Sequence, residues 1–296
     1  MKPALQKSAI SADHSFEISY LRAPFFDPNW HFHCEYQLFT VLKGTGTRFV
    51  GDHVSPFKPG DLVFTGPNLP HLWQSDAAYF KGDKNVGIEG IVIYLPEDFL
   101  GNHFLAKKEM YKIRQLFLKA QRGMEIVGTA AEEVKAQMLK LYEATDFDSI
   151  LVLLGLLNYL ANMSSYQLLA TTGYSNSLKE ADTERMSRVH SYVMQNFREK
   201  ITLEHVAAIA NMTPPSFSRY FSKHANKTFS NFLTEIRIGN ACKLLMEEQL
   251  EVSQICFDSG FNTLSNFNRQ FKVVTKYNPL AYQRKYGNVQ RVKSEK

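Results

Sequence analysis

From about Tyr20 to Leu95 the apolar residues fall in short runs, among them Tyr36–Leu42, Thr47–Val50, Leu62–Thr65 and Val86–Leu95. These are separated by Gly44, Gly46, Gly51, Pro59, Gly60, Gly66 and Pro70. Many short strands punctuated by turn residues predict an antiparallel barrel or sandwich. After Pro96 the spacing changes. Met110, Ile113, Leu116 and Phe117, then Val134, Met138 and Leu141, recur at helical intervals, so helices over 96–170 are expected to cover the barrel. Ile150 to Leu154 with Leu156, Leu157 and Leu160 is apolar nearly all round, as in a helix that is deeply buried or shared with a second subunit.

The polar stretch TTGYSNSLKEAD (171–182) has no apolar period and marks an interdomain linker at 171–183. Beyond it the periodicity predicts helices at 184–197, 202–210, 213–224, 229–247, 252–258, 263–273 and 279–285. This last third repeats itself. Leu203 to Met212 followed by Phe217 to Phe221 is echoed by Val252 to Phe261 followed by Phe267 to Phe271, at an offset of 49 residues before the turn and 50 after it. That is the pattern of a duplicated helix-turn-helix. Ala207 and Cys256 are small where two helices cross, and Asn211 and Gly260 stand where the chain needs left-handed backbone. Thr213 with Pro214 offers an N-cap and an N1 proline. Phe217 with Phe221, and Phe267 with Phe271, are i,i+4 pairs that anchor each second helix inward and leave its other face free.

Composition fits a folded chain of two domains, with 296 residues, 44% hydrophobic and 21% charged. The N-terminus lacks the apolar run of a secretory signal, and no stretch nears the roughly eighteen apolar residues of a membrane span. Cys34, Cys242 and Cys256 form neither a disulfide framework nor zinc spacing, so a cytoplasmic location is expected. The net charge of +5 is uneven. From Glu184 onward 17 Lys and Arg face 9 Asp and Glu, giving +8, against 17 and 20, giving −3, before it.

Charge sharpens the reading of the free helix faces. They carry Pro215, Ser216, Ser218, Arg219 and Lys223 in the first unit, and Ser265, Asn268, Arg269 and Lys272 in the second. Arg pairs bidentately with guanine and Asn with adenine, while Ser and Lys suit phosphates. A joining helix over 229–247 would be about 28 Å long, near the ~34 Å between successive major-groove faces.

Residues Arg188 to Tyr286 resemble the AraC/XylS transcription regulators. The string ICFDSGFNTLSNFNRQFK (255–272), followed by NPLAY (278–282), is similar to that family's signature. The resemblance implies that the second helix of each unit enters the major groove of double-stranded DNA. Asn211 stands where the family often has Gly and Cys256 where it has Ala; Pro215 places an apolar ring at a usual contact position.

Ser19 to Tyr94 resembles the cupin-type β-barrel that many of these regulators carry as an effector domain, on HFHCEYQ (31–37), PGDLVF (59–64) and PNLPH (67–71). Alternation puts His31, His33, Glu35 and Gln37 on one strand face, with His71 approaching across the barrel. Metal-binding cupins use two His, a nearby Glu and a distant His. Here Gln37 holds the carboxylate position and Glu35 is wrongly spaced, so no metal or cofactor is assigned. The alternative is a pocket for a small polar effector such as a carbohydrate, with His31, His33, Glu35, Gln37 and His71 bonding it and Trp73 as an apolar platform.

The expectation is therefore an α+β multidomain protein. A cupin-like antiparallel β-barrel (19–95) with following helices (96–170) senses an effector and forms a homodimer, and an all-α double helix-turn-helix domain (184–296) binds DNA. Its function is that of a transcription regulator, an activator rather than an enzyme. The effector would change half-site occupancy or contact with RNA polymerase through unequal affinity for two arrangements. Two rival readings are a metal-dependent cupin enzyme with a helical tail and a constitutive DNA-binding protein with a vestigial barrel.

Overall fold

Contacts divide the chain into two units, the second running on from Arg185. The computed structural model describes residue 10 and residues 14–83, 86–174, 180–247 and 250–286. The expected linker is described as far as residue 174 and again from 180; 175–179 lie outside the described residues.

The first unit holds β1 (Glu17–Ala23), β2 (Tyr36–Lys43), β3 (Gly46–Val50), β4 (His53–Phe57), β5 (Leu62–Thr65), β6 (His71–Ser75) and β7 (Ile88–Leu95). Then come α1 (Asn102–Leu105), α2 (Tyr111–Ala120), β8 (Met124–Ile126), α3 (Thr129–Glu143), α4 (Asp146–Asn162) and β9 (Tyr166–Leu168). The strands form two sheets rather than one closed cylinder, in the orders β1-β7-β2-β5-β8-β9 and β4-β3-β6. Pairing of β2 with both β5 and β7 is antiparallel, as is that of β3 with β6.

Alternation along the central strands divides the core. Tyr36, Leu38, Phe64, Ile91 and Ile93 pack with Leu116, Phe117, Met138 and Leu153 of the helices, whereas Phe39, Val41, Val63 and Val92 pack with Phe57 and Trp73 between the sheets. Both faces of the six-stranded sheet are thus buried, which is why its strands read as continuous apolar runs. The strands β8 and β9 lie in a region whose periodicity predicts helix. Each has three residues, and pairing with β5, rather than local pattern, defines them.

A buried ion cluster joins the sheets. Arg48 of β3, 1% exposed, pairs with Asp61 and, at 3.2 Å, with Glu125 of β8, and the Trp73 indole N–H donates to Asp61 at 3.0 Å. Losing either anion would leave an uncompensated guanidinium in the interior, a costly state.

The second unit is helical: α5 (Glu180–Asn196), α6 (Leu203–Ile209), α7 (Pro214–Ala225), α8 (Phe229–Glu247), α9 (Val252–Asp258), α10 (Leu264–Thr275) and α11 (Pro279–Tyr286). Asn211 (φ 54°) and Gly260 (φ 82°) take the left-handed backbone between the helices of each pair. At Gly260 a Cβ would lie 2.7 Å from the Phe197 carbonyl oxygen, so close approach adds to the conformational demand. Among the described residues no helix is long and apolar enough to cross a membrane.

His190 of α5 is buried with its ring 4.8 Å from that of Phe232, and burial pushes its pKa down to about 3. The folded state keeps it neutral, while the unfolded chain protonates it near ~6.5. The stability from this difference is intact above that pH and is lost as pH falls below it, by about 2 kcal/mol at roughly pH 5. Denaturation of the second unit at neutral and mildly acidic pH is expected to show this loss, and His190→Phe to flatten it. An equally steep loss in the variant would assign the effect to other groups.

Candidate nucleic-acid interface and sensor cluster

In the second unit each helix-turn-helix presents its second helix in the same way. Phe217 and Phe221 of α7 are fully buried with ring centroids 5.6 Å apart, and Phe267 and Phe271 of α10 repeat both features. The opposite faces are free. Pro215, Arg219 and Lys223 are exposed and Ser216 and Ser218 half-exposed on α7, while Ser265, Asn268, Arg269 and Lys272 are all exposed on α10. All nine predicted DNA-facing residues therefore lie on open helix faces.

The helix starts differ in detail. Thr263 caps α10, its hydroxyl accepting from Asn266 N–H at 3.3 Å. Thr213 occupies the N-cap of α7, but its hydroxyl donates to the Ser216 hydroxyl at 3.0 Å instead of capping the backbone. Two features of α10 are not evident from the sequence pattern. Arg269 Nη2 donates to Asn266 Oδ1 at 2.9 Å, which aims the guanidinium, and Leu264 is 40% exposed at the first residue of the helix. The Arg269–Asn266 contact is an i,i+3 pair legible in principle, whereas Leu264 reads as an ordinary core residue until the helix phase is known.

In the first unit His31, His33 and His71 converge, with one ring nitrogen of each within 4.8 Å of the others, and all three side chains are buried. They are held by short loops and strand ends. A bridge pairs His31 with His71, and Nδ1 of His31, His33 and His71 lies 2.8, 3.0 and 2.7 Å from the carbonyl oxygens of Asn29, Glu35 and Leu69. A nitrogen facing a carbonyl must carry the hydrogen, so each neutral ring keeps its lone pair on Nε2. Burial holds all three below the ordinary histidine pKa, His71 furthest, which favours the neutral rings.

Gln37 completes the cluster. Its side-chain Oε1 lies 2.9 Å from His33 Nε2 and 3.2 Å from His71 Nε2. An oxygen there would require both rings to be charged. A half-turn of the amide exchanges O and N at unchanged shape and supplies two N–H donors, one for each lone pair, and this is the orientation that neutral rings require.

The other predicted effector residues are placed differently. Regular strand begins only at Tyr36, so alternation does not hold across 31–35. Glu35 faces the outer side of His33, its carboxylate 3.6 Å from Nδ1, rather than the converging nitrogens. Trp73 is buried, with its N–H on Asp61 and its ring 4.8 Å from that of Phe39, so it is a core residue and not an open platform.

Next to this cluster the chain leaving the barrel is pinned. Val50 pairs with His71, Gly51 N–H donates to the Pro70 carbonyl at 2.8 Å, and the buried Asp52 carboxylate accepts from Thr171 N–H at 2.9 Å and from the Thr171 hydroxyl. Gly51, at φ 56°, lies so near Ala170 and Tyr174 that a Cβ would sit 3.0 Å from the one and 3.1 Å from the other.

A helix-turn-helix domain family matches residues 206–285 and a cupin domain family residues 23–78. Three relatives align over most of the chain: the HTH-type regulator YdeC of Bacillus subtilis at 22% identity (86% of this chain, 85% of that one), the raffinose operon regulatory protein RafR of Pediococcus pentosaceus at 23% (85% and 86%), and the transcriptional activator RhaS of an Enterobacter species at 20% (84% and 85%). The chain belongs to the AraC-type transcription regulators. As in the sequence expectation, this AraC-type regulator joins a cupin-like domain to a helical DNA-binding domain, and it binds double-stranded DNA.

Proposed function

We propose that this regulator sets α7 and α10 into successive major grooves on one side of its operator, and that a small ligand in the N-terminal barrel controls it. The observation that carries the DNA reading is the pair of matched, aromatic-anchored helices with open polar faces, in the part of the chain that holds the positive excess. Arg219 and Arg269 read bases, Asn268 suits adenine, and Ser216, Ser218, Ser265, Lys223 and Lys272 meet phosphates or adaptable edges, with Pro215 packed at the groove wall. Activation, with contact to RNA polymerase, accords with the name of the RhaS relative.

Control by a ligand is supported by the tie from His71 through Val50, Gly51 and Asp52 to Thr171, where the chain departs for the second domain. The carbohydrate expectation loses support here, because the predicted sugar-binding groups bond to one another and to backbone. Dimerisation is supported by α4. Leu153, Leu156, Leu157 and Leu160 enter the core, whereas Phe147 and Leu151 are 70% and 53% exposed one turn apart. Such a stripe suits a second copy of the same helix.

Arg219→Ala and Arg269→Ala are each expected to weaken operator binding by about 1–3 kcal/mol without loss of helicity. Fluorescence anisotropy at fixed salt checks this, and unchanged affinity in both would remove the assignment. Asp52→Ala and Thr171→Val should accelerate tryptic cleavage within 171–185 while DNA affinity is kept; equal cleavage rates would show that the latch does not restrain the linker. Phe147→Asp combined with Leu151→Asp should convert a dimer to a monomer in sedimentation velocity. A dimer surviving both changes would place the interface elsewhere.

A further inference from the structure

We propose that His31, His33 and His71 form an exchangeable site for a borderline divalent d-block cation of the zinc, cobalt or nickel kind, with Gln37 as the neutral residue that positions two of the imidazoles. This deepens, and rests on, the reading of the barrel as the ligand-controlled part of the regulator. The missing carboxylate argues against a metal on spacing alone. The geometry changes the balance.

Three observations carry the proposal. The backbone carbonyls of Asn29, Glu35 and Leu69 fix all three rings in one tautomer, leaving three Nε2 lone pairs turned toward one another. Carbonyls in that role are what orients metal-bound histidine. The nitrogens lie within 4.8 Å, so gathering them around an ion at about 2.0–2.1 Å from each needs small ring movements and no rebuilding of the strands. The chain also supplies a partner for the metal-free state, since an amide bridging His33 and His71 offers its two N–H groups to two of those lone pairs.

The chemistry of the set selects the ion. Three imidazoles suit zinc, copper, nickel or iron and are poor ligands for magnesium or calcium, which need oxygen. With no anionic ligand in the cup, the bound ion keeps its full double charge. Binding is then weaker and more reversible than with a carboxylate, as a sensor requires. Gln37→Glu would add the charge and trade exchange for affinity.

The test uses the full chain, stripped with chelator and titrated with Co2+, read by its visible ligand-field bands and by thermal shift, with Zn2+ as competitor. The wild type should take up one equivalent per chain, displaced by Zn2+, while Mg2+ has no effect. His71→Ala and His31→Ala should lose the bands. Gln37→Leu should keep them with affinity reduced about ten-fold, and Gln37→Glu should bind more tightly and release the ion more slowly. A wild type without bands or thermal shift overturns the proposal, whether or not Gln37→Glu binds; so do bands that persist in both histidine variants. DNA binding by the same metal-free samples reports separately on the regulator. Operator binding without cobalt bands sinks the metal site alone, and cobalt bands without operator binding sink the DNA reading alone.

Discussion

The burial of two phenylalanine pairs decides what the second domain can do. Phe217 and Phe221 lock onto Phe229 and Phe232 of α8 with ring centroids 5.2 to 5.6 Å apart, and Phe267 and Phe271 lock onto Phe261 and Tyr282 at 5.3 and 5.6 Å. Each helix is thereby fixed in rotation as well as in place. Rotation matters because a turn of about 100° carries a base-facing residue off the groove. With the apolar face held, Arg219 and Arg269 fall on the open side at equivalent phases. Asn266 then removes freedom from Arg269, and among the described residues nothing comparable restrains Arg219 within its own helix. The second unit is the more pre-organised reader of the two.

In the first domain, backbone atoms take the role that aromatic rings play in the second. Three carbonyls set the tautomers of three histidines, and the two flanking segments that supply them are irregular loops rather than strands. Such loops hold their shape because the sheets beneath them are tied through the interior. Arg48, Asp61, Glu125 and Trp73 join β3 to the turn before β5 and to β8. A buried charge cluster adds little net stability over an apolar one, but it tolerates few alternative pairings.

Legibility in the sequence followed the length of each pattern. The helices of the second domain were readable because each apolar face repeats over two turns or more, and left-handed positions 211 and 260 were readable because Asn and Gly announce them. The strands β8 and β9 were not, since three residues carry no period and pairing with β5 defines them. His31, His33, Gln37 and His71 were found by motif, but their arrangement was not. Alternation assumed a strand where the chain runs as a loop, and it therefore wrongly grouped Glu35 with them. Arg48 gave a signal that went unused, a charged residue inside the apolar run Thr47–Val50. Asp52 and Thr171 gave none, because their contact spans 119 positions.

Whether a barrel ligand can govern DNA binding is a matter of matching energies. Coupling between two sites is ordinarily about 1–3 kcal/mol, and a ligand supplies it only by preferring one of two arrangements. The Asp52 carboxylate holds Thr171 through two hydrogen bonds, and bonds to a charged group are worth roughly 1.5–3 kcal/mol each. The restraint on the departing chain is therefore of the size that coupling requires. It is strong enough to hold the segment and weak enough to be released by ligand binding. It also begins one strand-end from His71, so drawing that imidazole inward moves the partner of Val50, the residue two before Asp52. A ligand that reorders the histidine cluster thus acts on the turn that anchors the linker, without a conformational change in the rest of the sheet.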